Sequence, residues 1–159
     1  MKKPPGIFNE FYIDGGSPDE TRVILHLTEP VSAEEKLKGH FFAIAEVTQG
    51  GQKTLAKIER IFREAEQFYY ESKSPSVAQS FVSAAHTAKT LFSSMSGLDG
   101  VNATIGCVEG KTVRISTSGN LAVWIIFRHK DETLIHDISP AGVDLIDPFS
   151  NLIEGEIKL

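Results

Sequence analysis

The run Gly39 to Gly51, GHFFAIAEVTQGG, constrains this chain more than any other stretch. Six of the seven residues from Phe41 to Val47 are apolar, and they stop at a polar turn closed by two glycines. That pattern reads as a buried strand delivering Glu46 to a loop. Apolar residues occupy both of its faces, Phe41, Ala43 and Ala45 on one and Phe42 and Ile44 on the other, which implies a central strand covered on both sides. A carboxylate at the exit of such a strand is a candidate for chemistry.

Upstream, Arg22 to Thr28 alternates Val23, Leu25 and Leu27 against Arg22, Ile24 and His26, the period of a strand ended by Glu29 and Pro30. Ser32 and Glu35 are spaced as a capping box, with room for a single helical turn before Gly39. Residues 1–20 carry Pro4, Pro5, Gly6, Gly15, Gly16 and Pro18, so they are read as a loose arm with at most a short extended piece around Phe8 to Ile13. Residues 21–159 are then one domain, a size that buries a core without staples.

From Gln52 the period lengthens. Leu55, Ile58, Phe62, Ala65 and Tyr69 recur at spacings of three and four, which predicts an amphipathic helix to about Ser72. Ser74 and Pro75 are read as the cap and first position of a second helix, whose stripe Val77, Phe81, Ala84, Ala88, Leu91 and Met95 runs to a stop at Gly97. After Gly100 the period becomes two, and the runs 101–108, 111–117, 121–128 and 133–138 read as an antiparallel meander. Leu121 to Phe127, including Trp124, is apolar at almost every position, so the third of these strands is expected to be central and doubly covered. Glu156 to Leu159 reads as a further extended piece.

A net charge of -5 and a pI near 5.5 argue against bulk attraction to nucleic acid or anionic membrane. Cys107 is the one cysteine, so no internal disulfide can form and the composition fits a reducing compartment. The start MKKPPGIFNEF has no apolar core of a signal peptide, and no apolar run reaches a membrane span of about 20 residues. The expectation is a cytoplasmic chain without direct membrane insertion.

Gly50-Gly51-Gln52-Lys53-Thr54 superficially resembles a phosphate-binding loop, but Gln52 separates the glycines from Lys53 and Val47 stands where a further glycine is needed. The histidines His26, His40, His86, His129 and His136 show no metal-binding spacing. Cys107 sits in a strand pattern where a small core residue is the default, and Asn102-Ala103-Thr104 is a formal glycosylation sequon without meaning in a cytoplasmic protein. The remaining candidates are Glu46 and, at the end of the preceding strand, Glu29, which is expected to reach the same rim if the two strands pair antiparallel. Divalent cations prefer several oxygen ligands, so both carboxylates are weak metal candidates and solvated strand-end acids are the blander alternative.

The order of elements and two motifs resemble the metal-dependent serine/threonine protein phosphatase family, the PP2C-like or PPM-type group that includes bacterial sporulation phosphatases. FFAIAEVTQGG is similar to its strand motif (F/L)-x-(V/I)-(A/V)-D-G-x-G-G, with Glu46 in place of the metal-binding Asp and Val47 in place of Gly. The stretch Thr104 to Ile126 is similar to its later strand and hairpin motif. The resemblance covers about residues 22–159 and implies an α+β fold, a four-layer αββα sandwich of two antiparallel sheets flanked by helix pairs. It departs from the family at Glu46-Val47, and near Thr28-Glu29-Pro30, where only Glu29 stands for the family's early Arg and Asn-(Glu/Gln)-Asp motif. The family's later metal-binding motif would begin after Ile153 to Leu159, so the sandwich is expected to be incomplete at its carboxyl end.

The expected function is therefore a degenerate, non-hydrolytic PP2C-like domain acting as a regulatory or protein-interaction module, with no cofactor. An alternative is an active Mg- or Mn-dependent phosphoserine/phosphothreonine phosphatase using Glu46 and Glu29 as unusual ligands. A second alternative is a plain α+β binding domain unrelated to phosphate chemistry. A protein or phosphoprotein partner is compatible with all of these, and no residue pattern identifies an oligomeric state.

Overall fold

The computed structural model describes residues 22–129, 132–137 and 147–156. The expected arm at residues 1–20 lies outside the described residues, as does the expected extended tail beyond Glu156. The elements run β1 (Arg22–Thr28), α1 (Ala33–Lys38), β2 (His40–Val47), α2 (Gln52–Glu71), α3 (Val77–Ser94), β3 (Val101–Glu109), β4 (Thr112–Ser118), β5 (Trp124–His129), β6 (Glu132–Asp137) and β7 (Ile153–Glu156). The class is α+β, as expected. One five-stranded antiparallel sheet has the order β1-β2-β3-β4-β7, and β5 and β6 form a separate two-stranded sheet.

The main core lies on one face of the sheet. Phe41, Ala43, Ala45 and Val47 of β2 and Val101, Ala103, Ile105 and Cys107 of β3 are buried together with Ile58, Ile61, Phe62, Ala65 and Tyr69 of α2 and Phe81, Ala84, Ala85 and Ala88 of α3. The alternation of a strand puts the first two sets on one face of the sheet, and the helical spacing puts the other two on facing stripes. Small alanines on α3 and β2 let helix and sheet backbones approach, while Phe41, Phe62, Tyr69 and Phe81 fill the space between. Each such side chain contributes about 1.5–3 kcal/mol when fully buried.

Two expectations about coverage fail here. The out-of-phase residues of β2 are not enclosed among the described residues: Phe42 is half-buried and Ile44 is 36% exposed. Both long helices lie against the same face, and among the described residues no helix covers the apolar residues of β1 and β2 on the other, although Val113 and Ile115 of β4 are buried there. The run 121–127 is likewise not a doubly covered central strand, for Trp124 is 57% exposed. The meander breaks after β4, whose next partner is β7 rather than β5. Gly119 makes the break: its φ of 81° turns the chain out of the ladder, and a Cβ there would lie 2.2 Å from Asn102 Oδ1.

The short helix α1 is present with its capping box and, at 6 residues, is nearly two turns rather than the expected one, Glu35 N donating to Ser32 Oγ at 3.1 Å and Ser32 N donating to Glu35 Oε2 at 3.0 Å. The cap of α3 is Ser76 rather than Ser74, and its side chain accepts from Gln79 N. Ser74 instead holds the turn, its Oγ accepting from Ser76 N at 3.2 Å.

The end of α2 is tied to the α1–β2 joint by a lysine that no sequence pattern announces. Lys38 Nζ donates to the carbonyls of Tyr69 and Tyr70 at 2.9 Å and of Ser72 at 2.6 Å, so one cation satisfies the open end of the helix and meets the negative pole of its dipole. In return Tyr69 Oη donates to Lys38 O, Tyr70 Oη donates to Gly39 O at 2.9 Å, and Phe41 N donates to Tyr70 Oη at 3.1 Å. Gly39, with φ of 80°, passes so close to β3 that a Cβ would lie 2.0 Å from Val108 O. Glu66 of α2 reaches the outer strand β1, 2.6 Å from His26 Nε2 and accepting from Thr28 Oγ1 at 2.7 Å. Among the described residues no helix is long and apolar enough to cross a membrane.

Candidate functional site

Glu46 sits near the end of β2 with its side chain opposite in direction to those of Ala45 and Val47, so it projects on the sheet face that the helices do not cover. Its cross-strand partner in β3 is Asn102. Asn102 Nδ2 donates to Glu46 Oε2 at 2.9 Å, and Asn102 Oδ1 accepts the backbone N–H of Asn120 at 2.9 Å. The amide therefore joins β2 to the turn that follows β4. Gly119 permits this by leaving room for Asn102, as its missing Cβ would collide with Oδ1.

The same rim is closed by contacts between the β2–α2 and α3–β3 turns. Thr48 donates to Gly100 O through both its backbone N, at 2.9 Å, and its hydroxyl, at 2.8 Å. Lys57 Nζ donates to Ser96 O at 2.6 Å. In the Gly50-Gly51 turn, Thr54 N and Leu55 N both donate to Gly51 O at 2.9 and 3.3 Å. These are a helix's opening hydrogen bonds, not a cradle of amides aimed outward.

Glu29 does not join Glu46. In the β1–β2 register Thr28 faces Phe41 while Val23 faces Glu46, so Glu29 and Glu46 stand at opposite ends of the sheet. The separation is the length of β1, about 20 Å at roughly 3.3 Å per residue. Antiparallel pairing was expected to bring the two together. It does the reverse, because neighbouring antiparallel strands run in opposite directions and their carboxyl ends lie on opposite rims.

Chemically, the side-chain partner of Glu46 among the described residues is one neutral amide, Asn102, and no second carboxylate is joined to it. A Mg or Mn ion needs several oxygen ligands, and one Glu46 oxygen is already engaged by an amide donor. Among the described residues, no group of three or more His, Cys, Asp or Glu is placed to hold a metal ion. The described residues at the Glu46 rim do not fit such an ion.

Cys107 is fully buried on the helix face. Burial pushes its thiol up to about 11 from 9.0, with Tyr69 and Arg114 opposing that rise. At neutral pH it is a protonated core residue rather than an activated nucleophile. Arg114, itself buried, ties the β3–β4 hairpin to β7 by donating to Glu109 Oε2 at 2.9 Å and to Glu154 Oε2 at 2.7 Å. His26 lies in a strand, as expected, and is engaged by Glu66; His86 is on the exposed side of α3.

Asn102 is the residue that reading the sequence passed over. It registered only as part of a sequon, and nothing local marks it as the partner of Glu46. Only the β2–β3 register, Glu46 opposite Asn102, could have found it. Comparison of the chain with protein-family models, with curated proteins and with solved structures found no match.

Proposed function

We propose that the chain is a non-hydrolytic, PP2C-like domain that works as a regulatory or protein-interaction module in the cytoplasm. One observation carries this reading: Glu46, which by resemblance occupies the place of a metal-binding Asp, gives a carboxylate oxygen to the Asn102 amide, and its candidate partner Glu29 is on the opposite rim. By the resemblance, the order of strand, helix pair and hairpin is retained while the metal-holding positions are changed. That combination favours a retained scaffold over a retained reaction, and no hydrolytic step is derived for it.

The surface available for a partner is the sheet face away from the helices. Leu25 and Ile44 are cross-strand partners there, 44% and 36% exposed, with Val23 beside Glu46. Apolar side chains adjoining on an open sheet face favour docking of another protein surface. In the four-layer sandwich implied by the resemblance, this is the face that a second sheet covers.

The test is Mn2+-dependent hydrolysis of p-nitrophenyl phosphate and of a phosphopeptide by the chain and by Glu46→Ala. No turnover above background is expected from either. Robust turnover that Glu46→Ala abolishes overturns the reading in favour of an active phosphatase with glutamate ligands. Calorimetric titration with Mn2+ is expected to show no binding at millimolar metal, and saturable binding lost in Glu46→Ala would count against the proposal in the same way.

A further inference from the structure

Away from the Glu46 rim, a cavity of about 350 Å3 opens between one side of α3, strand β4 and the segment 147–152. Val82, Ala85, His86 and Lys89 come from α3, on one face because their spacing is that of a helix. The opposite wall is a segment locked to β4. Phe149 N donates to Thr117 O at 3.0 Å, Thr117 N donates to Asn151 Oδ1 at 2.8 Å, and Asn151 Nδ2 donates to Thr117 Oγ1 at 2.7 Å. Phe149 holds a φ of 53°, a conformation bulky residues avoid, and its ring meets Phe92 edge-on at 5.7 Å. The wall is therefore built before any ligand arrives.

Two features of the lining point to what it takes. Ser116, on the helix-facing side of β4, is 0% exposed, and among the described residues its hydroxyl has no hydrogen-bond partner. Buried hydroxyls are ordinarily paired, so an unpaired one lining a cavity marks a place for a ligand atom. The second feature is the ion pair Lys89–Asp147, 2.7 Å long, in which neither side chain is enclosed. Lys89 spends part of its donor capacity on Asp147 and retains N–H groups for a ligand oxygen, while Asp147 retains acceptor lone pairs. An anion attracted by Lys89 meets Asp147 at once, and a cation attracted by Asp147 meets Lys89. The pair thus selects against ligands carrying one charge and favours one carrying both.

We infer that this cavity binds a small zwitterion of the α-amino-acid class with an apolar side chain. Its carboxylate accepts from Lys89 and, after the small shift of the wall that a fully buried hydroxyl requires, from Ser116; its ammonium donates to Asp147, and its side chain lies against Val82, Phe149 and Leu152. The cavity volume is at the lower end of the range for small-molecule sites. The inference does not depend on the fate of Glu46, which lies outside the lining.

The experiment is calorimetric or NMR titration of the full chain with leucine, with 4-methylpentanoate, which keeps only the acid, and with isopentylamine, which keeps only the amine. Saturable binding of leucine is expected, with both single-charge analogues at least about tenfold weaker. Ser116→Ala is expected to weaken leucine about fivefold without lowering the thermal midpoint, because the hydroxyl it removes has no partner to lose. Lys89→Met and Asp147→Asn, both on partly exposed side chains, are each expected to weaken it at least about tenfold. No saturation by leucine overturns the proposal, as do acid-only binding equal to leucine and leucine affinity unchanged in Ser116→Ala. A high-resolution structure grown with leucine that shows only an ordered water on Ser116 Oγ overturns it too.

Discussion

At β1 and β2 the two faces of the five-stranded sheet have opposite fates, whereas β4 is buried on both. In β2, Phe41, Ala43, Ala45 and Val47 are sealed under α2 and α3, while Phe42, Ile44 and Glu46, interleaved with them, look the other way and keep contact with solvent. What separates them is not hydrophobicity, since Ile44 is more apolar than Ala43 or Ala45. It is which face the helix pair chose. The strand β1 makes the point again: its more apolar face, Val23, Leu25 and Leu27, lies away from the helices, and its helix side presents Ile24, His26 and Thr28. His26 and Thr28 are polar there because Glu66 of α2 meets them. An outermost strand can thus be fastened to a helix by hydrogen bonds while its apolar residues remain on offer.

The largest expected effect tests that contrast directly. Phe62→Ala removes a fully buried ring between α2 and the sheet and is expected to cost about 3–5 kcal/mol. Leu25→Ala, on the open face, is expected to cost less than about 1 kcal/mol, because much of that side chain is in water already. Urea denaturation of both variants gives the comparison. Equal losses would show that the open face is covered in solution, and the contrast between the faces would fail.

Next comes the joint where the helix face is clasped. Gly39→Ala places a methyl group 2.0 Å from Val108 O on a backbone with φ of 80°, and neither atom is the end of a flexible side chain. The expected loss is about 1–3 kcal/mol. Urea midpoints measure it. A neutral result would mean that the α1–β2 joint yields freely and does not position the helix pair.

Cys107 sharpens the comparison through pH. Its folded pKa is raised to about 11 from 9.0 by burial under α2, so the folded state keeps a proton that the unfolded state releases. The contribution is fully present below about pH 9 and is lost as pH rises through 11, which makes stability fall across that window. Tyr70, pushed up to about 12 by burial, adds a decline of the same sign at higher pH. Cys107→Ala is expected to show a shallower decline between pH 9 and 11 than the parent chain, read from urea midpoints. Parallel declines would mean that the thiol is not sealed under the helix.

Much of the fold was legible in residue pattern, because period alone distinguishes a strand from a helix. Phe41 to Val47 and the stripe Ile58, Phe62, Ala65, Tyr69 are read correctly from spacing. The end of the meander was not legible. Ser118-Gly119-Asn120 carries the same turn residues whether a chain returns to its sheet or leaves it, and the apolar run after it suggested a central strand. The candidate site was legible only as the single residue Glu46. Its environment depends on Asn102, which is 56 residues away, and on the direction in which β1 runs past β2. Those are facts of register, and register between distant strands leaves no local signature. Lys38 is similar: a lysine in a short helix becomes the cap of a different helix only once both are docked.

The smallest expected effect belongs to α1, which buries no residue and so lies outside the contrast of the two faces. Glu35 accepts from Val31 N at 2.7 Å and from Ser32 N at 3.0 Å. Those backbone hydrogen bonds, Ser32 first and then Val31, lower its pKa from 4.5. A depressed carboxylate contributes stability above its unfolded value and loses it as pH falls through the folded one. Glu35→Gln is therefore expected to be slightly less stable than the parent chain at pH 7 and to match it more closely below pH 4.5. Urea midpoints at the two pH values read the difference. Because α1 buries no residue, it should loosen without disturbing the helix face. A variant that instead loses the buried packing around Phe41 and Tyr69 would show that the capping box holds the α1–β2 joint in place, and through it the face the helices cover.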